Sequence, residues 1–364
     1  MATRVLNVTL DEDSDRLRAR VLAALDEAAS DRVFPGAVAA VVRKGRDDII
    51  IACGRETYDP SARRVTSDAI FDVASLTKIV ATTTAVMQLV EAGELRLDES
   101  ARRFIPQLEM SPGREITIFQ LLTHTAGFPG GEILHRHCRT RTDVLDAIFA
   151  SHLVYPPGSR RIYDDLSFII LGCIVEKISG LSLNDYCETR IFRPLKMSDT
   201  MFAPPSRMRH RIIPTEIDSG RGGLLRGTVH DDNAYRLGGV AGHAGMFSTV
   251  GDLCTFVRMI LSPRSESTSG ILSDRSIASM CAPQWRDADG EYGLGWDRRQ
   301  SRYMNGIDDP DAIGHTGFTG TSMVISPASG SAMILLSNRV HPVRTDRAAI
   351  DRVRCRFVET VIGG

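Results

Sequence analysis

A Ser and a Lys three residues apart open the most apolar stretch of this chain, and few folds give such a pair a reason to exist. The stretch runs from Phe71 to Gly93 and reads FDVASLTKIVATTTAVMQLVEAG. Leu76, Ile79, Val80, Val86, Met87, Leu89 and Val90 leave it little polar surface, so the pattern predicts a buried helix with Gly93 as its stop signal. On one face of the first turn, Ser75 and Lys78 would sit roughly 5–6 Å apart at Cβ, close enough for amine to meet hydroxyl. A Ser hydroxyl is a poor nucleophile until an adjacent base takes its proton. Lys78 can be that base once its pKa falls toward neutrality. Desolvation and the positive end of the helix dipole both push it that way. The same helix start can offer backbone N–H groups to an oxyanion.

S-x-x-K alone is a weak pattern, because both residues are common. Composition sharpens it: of 44 basic residues only four are Lys, at positions 44, 78, 177 and 196. An amine among so many guanidinium groups suggests a role Arg cannot fill, since Arg keeps its proton at any physiological pH. The competing reading makes Lys78 a surface charge and Ser75 a cap, and the apolar neighbours disfavour it.

At 364 residues the chain can hold two modest domains or one compound domain with two lobes. A net charge of −1 gives no electrostatic footprint for nucleic acid or an anionic membrane surface. No apolar run approaches the ~20 residues of a membrane span. The charged start, MATRVLNVTLDEDSDRLRAR, has no apolar signal segment, so a cytoplasmic location is expected. Seven scattered Cys (53, 138, 173, 187, 254, 281, 355) with no C-x-x-C pair read as reduced, mostly buried thiols.

Residues 11–29 have the spacing of an amphipathic helix, broken by Pro35-Gly36. GAVAAVVRKG and DIIIACG read as two buried strands joined by a polar turn at 44–48. From Leu95 the character becomes helical, with LRLDESARRFIPQL, ITIFQLLTHTAGFPGG, TDVLDAIFASHL, DDLSFIILGCIVEKISG and SLNDYCETRIF separated by Pro and Gly. The Gly-rich stretch at 220–248 reads as an extended loop system and matches neither a P-loop nor a dinucleotide fingerprint. Helices at 251–262 and 273–281 come next, then strand-like YGLGWD, AIGHTGFTG, SMVISPASG and SAMILLSNR, with a hairpin turn at 327–330. An amphipathic helix at 346–362 closes the chain. Strands at both ends with helices between imply an α/β (α+β) fold whose termini meet in one antiparallel sheet flanked by helices. The expected lobes are 1–94 with 236–364, and a mainly helical 95–235, with the site between them.

Two more polar islands stand out. Tyr163 sits in a Gly/Pro-punctuated turn just before a strongly apolar helix, and small residues flank His315 in GHTGFTG. Glycine in a strand marks a close approach of ligand or backbone, or a bulge. Taken together, Ser75-Leu76-Thr77-Lys78, Tyr163-Asp164-Asp165 and His315-Thr316-Gly317 resemble, in order and separation, the three signature elements of the serine β-lactamases, DD-peptidases (penicillin-binding proteins) and related esterases and amidases. LLTHTAG (121–127), YGLGW (292–296) and AGHAGMFST (242–249) fit as well, and the likeness runs from about Pro35 to Arg339. The Y-x-N-type second element is similar to that of the class C β-lactamase-like branch.

The resemblance implies a β-lactamase/DD-peptidase-like fold, with Ser75 as the acylated nucleophile, Lys78 as its proton acceptor and Tyr163 sharing the proton relay. It implies an oxyanion hole from the backbone N–H groups of Ser75 and Phe318, and substrate contacts from Asp165, His315, Thr316 and Gly317. Two positions depart from the family pattern. Its usual Asn in the second element is Asp165, and the Lys of the third is His315. A Lys there would hold a substrate carboxylate; a neutral His does so poorly, whereas His⁺ could near its pKa of ~6.5.

HRHC (135–138) has no second ligand cluster at zinc spacing and reads as a charged loop. His124 reads as a structural residue near the cleft, while His230, Asp231 and His243 are candidates for its lining. No G-x-S-x-G or H-E-x-x-H is present. The expectation is therefore a cofactor-free, metal-free serine hydrolase acting on a small ester, amide or acyl substrate. An acyltransferase, a D-Ala-D-Ala carboxypeptidase or β-lactamase, and a non-catalytic binding protein are the alternatives.

Overall fold

The computed structural model describes residues 2–108, 115–131, 138–261 and 270–363, and in it the two ends of the chain meet in one eight-stranded sheet. Strands β1 (Gly36–Arg43) and β2 (Ile49–Gly54) come from the N-terminal part. The C-terminal part supplies β3 (Trp285–Asp287), β4 (Gly290–Tyr292), β5 (Asp297–Arg298), β6 (Ile313–Thr316), β7 (Ser322–Ser326) and β8 (Ser331–Ser337). The order is β2-β1-β8-β7-β6-β5-β4-β3, with neighbours antiparallel. The seam between the two ends is the β1–β8 ladder, in register from Ala37↔Ser337 to Arg43↔Ser331. Both expected turns form, at 44–48 and at 327–330, where Gly330 takes a φ of +61°.

Five helices position the site: α1 (Ala2–Ser30), α2 (Thr84–Glu91), α3 (Leu166–Ser179), α4 (Val250–Leu261) and α5 (Arg347–Ile362). Alternation along β1 sorts its side chains between two layers. Ala37, Ala39 and Val41 pack with Leu17, Val21 and Leu25 of α1 and with Phe357 and Val358 of α5. Val38, Ala40 and Val42 belong to a larger core with Val80, Val86, Phe168, Ile170 and Phe256. That core runs without a break from the sheet into the 95–235 segment. A small sheet of Phe71–Asp72, Met246–Ser248 and Met201–Phe202 likewise straddles the two.

The stretch around Ser75 and Lys78 is buried as its composition requires, but its winding differs from a plain α-helix. Lys78–Thr83 is π-helical, α2 continues to Glu91, and Gly93 ends the run at a φ of +74°. Such wide turns concentrate at functional sites. The Thr84 hydroxyl donates to the Ile79 carbonyl at 3.1 Å and the Thr82 hydroxyl to the Gly242 carbonyl at 2.6 Å, so these buried β-branched residues have their hydrogen bonds made.

One helix expectation fails. LRLDESARRFIPQL forms only a 3₁₀ turn at Ala101–Arg103. Pro106 disfavours helix at the residue before it, and the segment instead bridges Ser100 to Thr117, with the Ala101 N–H donating to the Ile116 carbonyl at 2.8 Å. His135 and His137 lie outside the described residues. All seven Cys are free, with Cys53, Cys138, Cys187 and Cys254 buried. Among the described residues no single helix is long and apolar enough to cross a membrane.

The Gly-rich stretch crosses α3 at Gly242, where a Cβ would lie 2.0 Å from the Phe168 carbonyl oxygen. Gly242→Ala is therefore expected to cost about 2–3 kcal/mol, read as a lower denaturant midpoint at unchanged slope. A midpoint equal to wild type would contradict this packing.

Candidate active site

Ser75 occupies the turn between the Phe71–Asp72 strand and the buried helix. The preceding residue, Ala74, is held at a φ of +48°, a left-handed conformation that costs energy in any residue with a side chain. Its neighbours impose it: the Ala74 N–H donates to Asp72 Oδ1 at 2.9 Å, and Thr77 Oγ1 donates to the Ala74 carbonyl at 2.6 Å. The β6–β7 connection is tied to the same segment, with Thr319 Oγ1 donating to the Asp72 carbonyl at 2.8 Å and Thr321 Oγ1 to the Val73 carbonyl at 3.0 Å. Backbone meets backbone here, since a Cβ on Gly317 would be 2.6 Å from the Val73 oxygen. From α5, the buried Arg354 donates to the carbonyls of Gly317 at 2.9 Å and Thr321 at 2.7 Å. Ser75 and Phe318 are thereby held on the wall of one cleft. Among the described residues neither of their backbone N–H groups has a hydrogen-bond partner.

Two donors converge on the Ser75 hydroxyl: Lys78 Nζ at 3.2 Å and Tyr163 Oη at 3.1 Å. Lys78 is fully buried and also donates to Asp165 Oδ1 at 2.7 Å and to the His243 carbonyl at 3.1 Å. The expected fall in its pKa is overturned. Burial presses the ammonium down, but the Asp165 carboxylate beside it, with Tyr163, outweighs burial and holds Lys78 above its ordinary value. Burial likewise works against the Asp165 carboxylate, yet Lys78 holds it below its ordinary range. At neutral pH the resting pair is an ammonium and a carboxylate.

Tyr163 is presented by a turn that Asp164 locks onto the start of α3, its two carboxyl oxygens accepting from the Ser167 N–H at 2.6 Å and hydroxyl at 2.9 Å. Burial pushes the Asp164 carboxyl up to about 7. The His124 ring lies 4.6 Å from that of Tyr163 and accepts the Asp164 N–H on Nδ1 at 3.3 Å. Burial presses His124 well below its ordinary value, so the ring is a neutral support. His230 pairs with Glu216 at 3.0 Å and His243 with Asp231 at 2.8 Å, and none of His230, Asp231 and His243 lines the cleft. Asp165, Asp231 and His243 bring ligand atoms within 4.8 Å of one another. A metal ion there would have to displace the ammonium already bonded to Asp165, so these residues read as an ion-pair network.

The third island lies on β6 and the turn after it. His315 and Thr316 reach the cleft with Gly317 and Phe318. His315 Nδ1 is 2.9 Å from the Thr316 carbonyl, to which it donates in the tautomer the geometry requires. The expected His⁺ is overturned: burial drives His315 down to about 3, leaving the ring neutral across the physiological range. NMR should show no titration of His124 or His315 between pH 5 and 8. A His315 midpoint near 6.5 would contradict this environment.

The cleft holds about 870 Å³ and is lined by Ser75, Tyr163, His315, Thr316, Gly317 and Phe318 among others. A family model described as Beta-lactamase matches residues 19–356. The chain belongs to the β-lactamase family. A relative from Salmonella schwarzengrund, named "Putative D-alanyl-D-alanine carboxypeptidase", is 32% identical over 312 residues, 76% of this chain and 71% of that one. The fold is shared with a class C β-lactamase (TM-score 0.77, 17% identity, 96% of this chain and 99% of that one). It is also that of the octameric penicillin-binding protein homologue from Pyrococcus abyssi (TM-score 0.76, 20% identity, 95% and 77%). A third match is EstCE1, described as a hydrolase with promiscuous acyltransferase activity (TM-score 0.76, 19% identity, 94% and 99%). As a member of this family the chain is an enzyme of the serine hydrolase and acyltransferase kind.

Against the β-lactamase family pattern, one residue is placed differently from expectation. Asp165, expected to touch substrate, does not line the cleft and turns to Lys78 instead. Sequence reasoning missed Asp72, which braces the Ser75 turn, and Arg354, which braces Gly317. An Arg in an Arg-rich chain carries no mark of such a role. Asp72, three residues before Ser75, was visible in FDVAS as a carboxylate in an apolar run.

Proposed function

We propose that the protein is a serine hydrolase that cleaves a small ester or amide through an acyl-enzyme on Ser75. The observation that carries this reading is the convergence of Lys78 Nζ and Tyr163 Oη on Ser75 Oγ, beside two unbonded backbone N–H groups in an open cleft. Ser75 Oγ attacks the carbonyl carbon, and its proton passes to Lys78 as the C–O bond forms. Lys78 can take that proton only by releasing one, and Asp165 Oδ1 stands 2.7 Å away to receive it. This concerted shift leaves an ammonium on Lys78 and a neutral carboxyl on Asp165, so the attack creates no new buried charge beyond the oxyanion. The oxyanion sits between the N–H groups of Ser75 and Phe318, where losing one donor typically costs about 10²–10³ in kcat. Tyr163 passes a proton to the leaving group as the tetrahedral intermediate collapses and is reprotonated through Lys78 from the Asp165 carboxyl, which restores the ammonium–carboxylate pair. A water activated by the same relay then releases the acid and regenerates Ser75.

Transfer to an amine or alcohol uses the same acyl-enzyme, and the width of the cleft leaves room for such an acceptor. The curated relatives' name favours a peptide bond as substrate, and the structural neighbour with acyltransferase activity favours transfer. Burst kinetics with p-nitrophenyl esters, followed by product analysis with and without an added amine, tests the reading. A burst of one equivalent with free acid as product is expected. Amide formed in proportion to added amine would convert the assignment to transferase, and the absence of any burst would remove it.

A further inference from the structure

Attack on a carbonyl puts charge on an oxygen that the N–H groups of Ser75 and Phe318 must meet together, from segments far apart in sequence. Hydrogen bonds weaken steeply as angle and distance drift, so the separation of these two donors has to be held. The Gly317 carbonyl accepts from Arg354 at 2.9 Å and from the Gly320 N–H at 3.1 Å. Across a planar peptide this aims the Phe318 N–H the opposite way. Thr319 and Thr321 fasten the chain beyond Phe318 to the Asp72 and Val73 carbonyls. Phe318 itself stands at the corner of that turn with half its surface exposed, and it needs a support of its own.

His230 supplies one. Its backbone N–H donates to Asp72 Oδ2 at 2.7 Å, while Asp72 Oδ1 takes the Ala74 N–H at 2.9 Å. One carboxylate thus joins His230 to the residue before Ser75. The His230 ring is stacked on that of Phe318, with 5.7 Å between centroids and 21° between planes. The ring is anchored in turn. Its Nε2 donates to Glu216 Oε2 at 3.0 Å, and Arg344 donates to the same oxygen at 2.7 Å. Arg221 donates to the His230 carbonyl at 3.0 Å. A buried residue fixed at N–H, carbonyl and ring therefore touches both halves of the oxyanion hole without lining the cleft.

We propose that His230 is a positioning residue that sets the separation of the two oxyanion donors, its backbone fixed to the Ser75 turn through Asp72 and its ring fixed to Phe318. The inference rests on the acyl-enzyme reading of Ser75. The bond to Asp72 comes from the backbone, so a side-chain substitution leaves that end in place and releases only the Phe318 end. A donor then free to drift costs rate at the moment charge develops and little in substrate binding.

Two substitutions separate the ring from its hydrogen bond. His230→Gln keeps a donor for Glu216 and gives up the flat ring, whereas His230→Phe keeps a ring on Phe318 and gives up the donor. Each is read with p-nitrophenyl butyrate and with the matching thionoester, in which the developing charge falls on sulfur, a weak hydrogen-bond acceptor. A misplaced donor slows the oxygen ester more than the sulfur one. His230→Gln should lower the oxoester-to-thionoester ratio of kcat/KM about tenfold, through kcat, a fraction of what losing a donor outright costs. His230→Phe should hold the ratio within about threefold of wild type, because stacking survives. Phe318→Ala keeps its N–H and loses its ring, so it should lower the ratio alike, and adding His230→Gln to it should change nothing further. An unchanged ratio in His230→Gln overturns the proposal, since a residue that only supports the fold scales both esters together. So does a His230→Phe that loses as much as His230→Gln, or effects at 230 and 318 that simply add. Should thermal melts show His230→Gln unfolded, Phe318→Ala decides alone, and a wild-type ratio there overturns the proposal. Ser75 acylated by the oxoester in those cases leaves the hydrolase reading standing. No acylation of Ser75 by either ester in wild type would bring down that reading, and the proposal with it.

Discussion

Lys78→Met and Lys78→Arg are both expected to slow acylation of Ser75 by about 10³-fold, the middle of the range for removal of a general base. Met removes both charge and proton acceptor, and leaves the Asp165 carboxylate without the ammonium 2.7 Å away. A loss there alone would mix catalysis with electrostatics. Arg separates the two. It keeps a cation beside Asp165, and it cannot give up its proton at any working pH. If the Ser75 proton has to travel through position 78, the two variants fail alike. Stopped-flow burst rates with an activated ester, alongside thermal midpoints, make the comparison. An Arg variant within about tenfold of wild type would mean that Lys78 contributes only its charge, and the base would have to be sought at Tyr163.

Asp165→Asn is expected to change the shape of the pH profile as well as the rate. In wild type the acid limb of kcat/KM belongs to the Asp165 carboxyl, which Lys78 holds below its ordinary range, so activity stays level down to about pH 5. With Asn, the largest opposition to the burial that presses on Lys78 is gone, and its pKa falls from its present raised position. The amine must nonetheless shed its proton to solvent before Ser75 can be attacked. Activity then rises with pH, and the acid limb moves upward by about two units or more. At pH 6 the loss is about 10²-fold, shrinking toward pH 9. The other groups facing the pair, Tyr163, Asp231 and His243, are unchanged by the substitution and shape both profiles alike. A variant whose profile keeps its wild-type limbs and is merely scaled down would make Asp165 a positioning residue and remove it from the proton path.

The legible parts of this protein are those where one local pattern leaves one solution. GAVAAVVR can only be a buried strand, SAMILLSNR and SMVISPASG share an obvious turn, and the Ser75–Lys78 spacing survives whether the next turn is α or π, because only the first turn sets it. Long-range charge was illegible. Nothing in the row of letters says that Asp165 faces Lys78 rather than solvent, and that single contact reverses the direction in which the Lys78 pKa moves. His315 failed for the converse reason: its burial depends on how β6 packs beneath Tyr163 and Arg302, elements far apart in sequence. The helical reading of LRLDESARRFIPQL gave too little weight to Pro106 and to a bridge with residue 117.

The most direct measurement is intact-mass spectrometry after brief exposure to a p-nitrophenyl ester and, in parallel, to a fluorophosphonate, followed by peptide mapping. A single acyl or phosphonyl adduct on Ser75 is expected, absent from Ser75→Ala and formed far more slowly in Lys78→Arg. Turnover of the ester with the label on another residue, or undiminished turnover by Ser75→Ala, would contradict a covalent intermediate at this turn.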